Sequence, residues 1–401
     1  MSQVRTNTDA VRQLEIRLSQ QKNKRQRVLI LDKLAGLFMF TNYQKALTYL
    51  GEIKTILAKE PNPDLQLNFH LYTSFIENQL YNYHLADIHI KKAIAIVEER
   101  GEVDQQVDTY IDYVGICINL EDKEEATIYL DKASKLLESF PNKRLQSRLI
   151  CRQGTLQLHY KDDEKATMML LEADKIIDRL TDKLKLKDFY FRTIIHSGLG
   201  NIYHRNEQPV KSIKAFLRVV GWCESLGMHT RLSWHYLNVG NGYSAMQDDR
   251  RAKKYFRKSI QTREDISQNS RAGAFANLGF IYFKEEKYNE ALELYDRAEK
   301  LYREKSSRDY SNFSIIESHR GQLFARLGKH KKAQQHFVAA IEFGKKSEDL
   351  RQTAIVCKEV AKYYADCKDY ENAFEFQVLH DQLFSRYQDT VRDRALLELG
   401  V

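Results

Sequence analysis

The residues of this chain that can do chemistry are scattered, and few patterns make them work together. Among the 12 histidines, close pairs such as His84 with His89 and His330 with His336 have gaps that do not set two ligands on one helix face. No metal site is predicted. The acidic pairs Asp162-Asp163 and Asp248-Asp249 fall in turns between two predicted helices, where an Asp side chain satisfies free backbone donors at the next helix start. Capping accounts for them better than acid–base work. Cysteines at 117, 151, 223, 357 and 367 form no CxxC pair, and several fall at helix positions predicted to be buried or half buried, so they read as reduced, small apolar residues. The chain lacks GxSxG, GxxxxGK followed by Ser or Thr, HExxH, and GxGxxG between a strand and a helix. Gly198-Leu199-Gly200 and Gly240-Asn241-Gly242 lie inside predicted helices, where close packing explains them. The expectation is a protein with no enzyme activity, no cofactor and no metal.

Charge narrows the partners. The 63 basic residues are set against 55 acidic ones and interleaved with them, for a net charge of +8. The runs "KNKRQR" (22–27), "RRAKKYFRK" (250–258) and Lys329 to Lys332 sit on predicted exposed faces or turns, where solvation explains them. Nucleic-acid binding is not expected, and a groove that attracts an acidic peptide or protein is the better reading. No apolar run is long enough to span a bilayer, and the start "MSQVRTNTDAVRQ" lacks the apolar stretch of a secretory signal, which predicts a cytoplasmic protein.

The elements that carry these residues announce themselves by spacing. Ala46, Ala86, Ala126, Ala166, Ser212, Ala252, Ala291, Ala333 and Ala373 follow one another at steps of 40, 40, 40, 46, 40, 39, 42 and 40. An apolar or aromatic residue stands four places after all but the last. Twelve places before come Gly154, Gly200, Gly240, Gly279, Gly321 and Ala361 in the fourth to ninth copies, usually followed three later by an aromatic such as Tyr203, Tyr243, Tyr282, Phe324 or Tyr364. Small residues at this spacing mark the crossing of two antiparallel helices, because only Gly, Ala or Ser lets the backbones approach closely. One hairpin cannot bury its apolar faces alone, so hairpins must stack in series. Four Pro and 17 Gly in 401 residues leave few helix breakers.

These residues resemble the tetratricopeptide repeat family. The stretch "FANLGFIYFKEEKYNEALELYDRAEKL" (275–301) is nearest to its pattern, with Leu278-Gly279, Tyr282, Tyr288, Ala291, Tyr295 and Ala298 in the family's order. The sixth and eighth copies, "YLNVGNGYSAMQDDRRAKKYFRKSI" and "SHRGQLFARLGKHKKAQQHFVAAI", match nearly as well, and the first is ragged. Two departures are plain: the period is about 40, not about 34, and the Pro that commonly ends each unit is mostly missing. The resemblance implies an all-α, right-handed superhelical solenoid of about nine hairpins over residues 27–388. An N-terminal capping helix (1–26, running from about Thr8 to Arg25) precedes it, and the extra residues "TDKLKLKD" (181–188) mark an articulation.

The resemblance also implies where a ligand would lie. In such arrays the first helix of each hairpin lines the concave side, and residues near the small position point inward. On this chain those are Asn201 with His204 and Arg205, then Trp234, Asn238 and Asn241, then Asn277 and Phe280, and finally Ser318, His319 and Gln322. Asn offers both a donor and an acceptor, so it can hold the backbone of an extended peptide without reading its side chains. Trp234 and Phe280 would supply apolar pockets. The same Asn residues can instead bond across to the next repeat, and Trp234 can be inter-helix packing. The Lys and Asn set of the family's two-carboxylate clamp is absent, although Lys358 and Lys362 have suitable spacing.

From Tyr370 to Leu399 the last helix outruns its repeat, with Leu379, Leu383, Tyr387, Val391, Ala395 and Leu399 at steps of four. A strict step of four drifts around a helix, so capping of the array is favoured over the start of a coiled coil or a homodimer contact at 389–401. The ending at Gly400-Val401, without polar punctuation, reads as though cut from something longer. The layout resembles the amino-terminal sensor regions of bacterial signalling proteins. It implies a non-enzymatic sensor or scaffold that binds a peptide or protein segment; the alternative is a stand-alone bacterial receptor for a short signalling peptide that regulates a transcription factor or response regulator.

Overall fold

In the computed structural model the described residues are 2–262, 268–305, 309–347 and 349–399, with side chains described from residue 11 to 390 outside 263–268, 305–308 and 348. They form nineteen α-helices and one 3-10 turn, with no strand among them. Helix α1 (Ser2–Gln20) comes first. Hairpins then pair α2 (Lys24–Phe38) with α3 (Tyr43–Leu57), α4 (Pro63–Gln79) with α5 (Tyr83–Arg100), and α6 (Val103–Asn119) with α7 (Lys123–Ser139). They continue with α8 (Lys143–His159) and α9 (Asp163–Asp178), then α10 (Leu186–Arg205) and α11 (Pro209–Leu226). After the 3-10 turn His229–Arg231 come α12 (Leu232–Ala245) with α13 (Asp249–Gln261), and α14 (Gln268–Lys284) with α15 (Tyr288–Lys305). Last are α16 (Tyr310–Arg326) with α17 (His330–Ser347), and α18 (Leu350–Asp366) with the 30-residue α19 (Tyr370–Leu399). The all-α solenoid of nine hairpins expected from the repeat is the fold observed.

The chain divides into two compact units, Met1–His235 and Tyr236–Val401. In both, the crossing is built as the spacing requires. Ala46, Ala86, Ala126, Ala166, Ser212, Ala252, Ala291 and Ala333 are wholly buried, and only Ala373 in the last hairpin is half-buried. A Cβ added to Gly200 would lie 2.7 Å from the Phe216 ring, one on Gly279 2.7 Å from Tyr295, and one on Gly321 2.6 Å from Phe337. Glycine on the first helix thus makes room for the ring sixteen places later on the second, and each fully buried ring adds about 2–3 kcal/mol of transfer free energy. Of the two Gly-x-Gly triplets, Gly240 serves the same packing against Phe256, while Gly198 lets α10 close on Leu170 of the preceding hairpin.

The turns repeat as well. Five places before the buried small residue the backbone is left-handed at Tyr81, Glu121, Lys161, Glu207, Gln247, Glu286, Gly328 and Lys368, with φ between 55° and 68°. The following amide closes a six-residue cap onto the first helix, as Asp122 N to Cys117 O at 3.0 Å and Asp369 N to Tyr364 O at 2.9 Å. The next side chain often starts the second helix: Asp162 accepts from the Lys165 amide at 3.0 Å and Asp248 from the Arg251 amide at 2.9 Å, the capping role read for both acidic pairs. At the start of the chain α1 stops at Gln20, and Asn23 caps α2, so Lys24 and Arg25 belong to the first hairpin. The connection between α9 and α10 is tied down: Arg144 pairs with Asp182 and Asp188, and Asp188 Oδ2 accepts from the Lys185 amide at 2.7 Å. At the other end, Leu379 and Leu383 of the α19 stripe pack on the core of the last hairpins, while the side chains of Val391, Ala395 and Leu399, like residues 400–401, lie outside the described residues.

Candidate binding surface

The first helices are the ones whose faces adjoin from hairpin to hairpin, so inward residues on α12, α14, α16 and α18 can form one surface in the second unit. Asn277 donates its Nδ2 to Asn241 Oδ1 at 2.7 Å, joining α14 to α12. One step along, the Phe280 ring stacks on His319 of α16 with centres 4.6 Å apart, and His319 also meets Tyr295 at 5.5 Å. Burial pushes the His319 imidazole down to about 4, so it is neutral at physiological pH, and its Nδ1 is buried without a partner among the described residues. Asn238 and Gln322 are half-buried.

Gln322 stands at the edge of a cleft of about 870 Å³ between the eighth and ninth hairpins. Phe283, Phe337 and Tyr363 give it apolar walls; Arg326, His330 and Lys362 set cations against Glu359, Asp366 and Asp369. Cys367 Sγ lies 3.7 Å from His330 Nδ1 there, the exposed member of five free cysteines whose other four are buried. Below, Arg320 holds Glu299 and Glu317 at 2.6 Å each, and Glu317 holds His336 at 2.6 Å, locking α16 to its neighbours. The cleft side chains, apart from Gln322 and the spacing noted for Lys362, were not legible as a set, because they come from four helices, α14, α16, α17 and α18, and a turn.

The remaining inward residues lie in the first unit. Asn201 is half-buried on α10. Arg205 is exposed and reaches back to Asp163 of the preceding hairpin, Nε to Oδ2 at 3.3 Å. Trp234 is half-buried with its ring edge-on to Phe216 at 5.6 Å and to His235 at 5.0 Å. The first helices of this unit carry a chain of charges instead: Arg148 bridges Asp108 at 2.6 Å and Asp188 at 2.7 Å, and Lys187 joins Asp108 at 2.8 Å to Asp112 at 2.6 Å. Burial raises the Asp108 carboxyl, but Lys187 and Arg148 together overcome it and hold it at about 2. Asp112, left with a shared Lys187 and the charge of Asp108 beside it, is pushed up by burial. Both line a hollow of about 530 Å³ with Asp32, Tyr72 and Phe40. No group of three or more His, Cys, Asp or Glu among the described residues is placed to hold a metal ion, and no described helix is long and apolar enough to cross a membrane.

Comparison with known proteins bears on the fold. No curated protein matches the chain. A family model described as tetratricopeptide repeat matches residues 270–346. A Rap protein complexed with competence and sporulation factor is similar over 96% of this chain and 99% of its own, at 17% identity and a TM-score of 0.56. Aspartyl phosphate phosphatase F from Bacillus subtilis is similar over 88% and 93%, at 15% identity and a TM-score of 0.56. The apo form of the quorum sensor NprR from B. thuringiensis is similar over 77% and 98%, at 14% identity and a TM-score of 0.53. At identities this low the likeness shows the fold. Match, likeness and geometry agree on an all-α fold of stacked helical hairpins, with the tetratricopeptide-repeat model itself matching within residues 270–346.

Proposed function

We propose that the chain is a non-enzymatic binding module that holds an extended peptide or protein segment on the first-helix face of its second unit. The observation that carries this reading is the cleft of about 870 Å³, bordered by Gln322 and offering both signs of charge beside aromatic walls. Such a lining suits a peptide, which brings backbone amides, charges and apolar side chains together. Asn241, Asn277 and the Phe280–His319 stack extend the surface along α12, α14 and α16. Asn277 uses one amide proton on Asn241, and an Asn amide has further donor and acceptor positions to offer a backbone. In the first unit Asn201 is the residue best placed for the same role, since Arg205 is engaged by Asp163.

A ligand that touches several hairpins stabilises one arrangement of neighbours over others, which is how a module without chemistry signals occupancy. We read the module as the sensor or scaffold of a cytoplasmic bacterial signalling system. The likeness to a Rap protein complexed with competence and sporulation factor, and to the quorum sensor NprR, favours the second reading, a receptor for a short signalling peptide that controls a regulator. The test is selection of displayed heptapeptides on the full chain, followed by affinity measurement with Gln322→Ala, Lys362→Ala and the double change Asn241→Ala with Asn277→Ala. Each of these is expected to weaken the selected peptide by about tenfold or more with helicity kept. Unchanged affinity in all three would eliminate this face as the site.

A further inference from the structure

Several arginines of the first unit are matched by acids: Arg144 by Asp182 and Asp188, Arg148 by Asp108 and Asp188, Arg192 by Asp174 and Asp178. The buried Arg152 donates instead to the Ile111 carbonyl at 3.1 Å. Arg231 is set differently. It ends the 3-10 turn between α11 and α12, and the groups facing it are four tyrosines, Tyr81, Tyr43, Tyr190 and Tyr83, with no carboxylate paired to it among the described residues. These tyrosines come from hairpins far apart in sequence. Arg231 Cζ lies 5.9 Å from the Tyr81 ring centre, and Tyr81 meets Tyr83 edge to face at 6.1 Å. Thr230, next to it, donates to the Tyr43 hydroxyl at 3.1 Å. The Tyr190 hydroxyl accepts from Gln79 Nε2 at 3.2 Å, which leaves its own proton to donate. Although ringed, Arg231 is exposed and a ligand can reach it. His235 nearby is pushed down to about 3 by burial and by the Arg231 charge, so it adds no second cation.

A guanidinium presents a planar fork of donors that a carboxylate matches with two parallel bonds, and phenol hydroxyls beside it supply further donors. Aromatic walls limit competing water and strengthen each bond. A phosphate, with about two charges, would be left half neutralised by one cation. We propose that Arg231, with the Tyr190 hydroxyl and the tyrosines around it, is a binding site for a carboxylate group carried by an acidic peptide. The site lies wholly in the first unit, so its failure leaves the reading of the second unit standing.

The probe is a fluorescein-labelled Glu-Glu-Glu tripeptide with an amidated C-terminus, titrated by anisotropy against the full chain beside its Gln-Gln-Gln twin. The Glu tripeptide is expected to bind at least about tenfold more tightly than the Gln form. Arg231→Gln should abolish that preference, Arg231→Lys should keep part of it because the charge remains without the fork, and Tyr190→Phe should weaken binding by about threefold to tenfold. If Arg231→Gln fails to fold, the order wild type, then Arg231→Lys, still tests the fork. Equal binding of the two tripeptides, binding of neither, or an unchanged Arg231→Gln protein overturns the proposal. So does displacement of the Glu tripeptide by inorganic phosphate at equal concentration, which would assign the site to phosphate.

Discussion

The two units share one hairpin design and spend their first helices differently. In the first unit, inward side chains reach across many repeats: Gln79 to Tyr190, Thr230 to Tyr43, and the rings of Phe40 and Phe75 onto Tyr190 at 5.9 and 4.9 Å. Lys187 on α10 bonds Asp108 and Asp112 on α6. In the second unit, Asn277 bonds Asn241, Arg320 bonds Glu299 and Ser311 bonds Asp349, each within the same or the next hairpin. The buried small residues set the crossing in both units; the inward residues decide whether a first helix coheres with distant repeats or keeps a face for something else. A unit held by distant pairs folds as one block, whereas nearest-neighbour coupling lets repeats open in steps.

Both tryptophans, Trp222 and Trp234, belong to the first unit, so their fluorescence reports there while far-UV circular dichroism reports the whole chain. The largest effect is expected from Asp188→Ala. Asp188 is 1% exposed and compensates Arg144 and Arg148, so its loss leaves buried cations unpaired and costs about 3–5 kcal/mol. The tryptophan transition in urea should move to lower denaturant while part of the dichroism change stays where it was. A single transition that moves as a whole would break the contrast between the units.

A smaller effect concerns His319 in the second unit. Its folded pKa of about 4 lies below the ordinary value of 6.5, so the unfolded chain takes up the proton first. The stability it carries is present above pH 6.5 and is lost as pH falls from 6.5 towards 4, by about 1–3 kcal/mol. His319→Phe should flatten that part of the acid limb; an unchanged pH profile would show that the imidazole is not sequestered in the Phe280 stack. The smallest effect tests what the units have in common. Glu121 and Glu286 each hold φ at 61°, one in each unit. Glycine there relieves about 1–2 kcal/mol of left-handed strain against about 0.5–1 kcal/mol of added chain entropy. Glu121→Gly and Glu286→Gly should each gain about 0.5–1 kcal/mol, and unequal values would mean that the turns differ.

How much of this was legible follows from range. The crossing could be read because Gly and ring recur at one offset, Gly200 with Phe216 and Gly321 with Phe337, and the caps because Asp162 and Asp248 precede helices that need them. The left-handed turns were hidden, since seven of the eight repeating positions carry a residue other than glycine and only Gly328 advertises the conformation. Tyr190 and Arg231 left no periodic trace, because their partners lie many tens of residues away, whereas Asp108, Arg148 and Asp188 of the charge chain stand at steps of 40, the period of the hairpins. The inward Asn residues were legible as positions; that Asn277 meets Asn241 depends on the register between hairpins, which spacing alone leaves open.

The most direct test of the account is hydrogen exchange on the full chain with and without a peptide selected from the displayed library. The account predicts slowed exchange in α14, α16 and α18 around Asn277, Gln322 and Lys362. Protection confined to helices of the first unit, or absent from both, would contradict it.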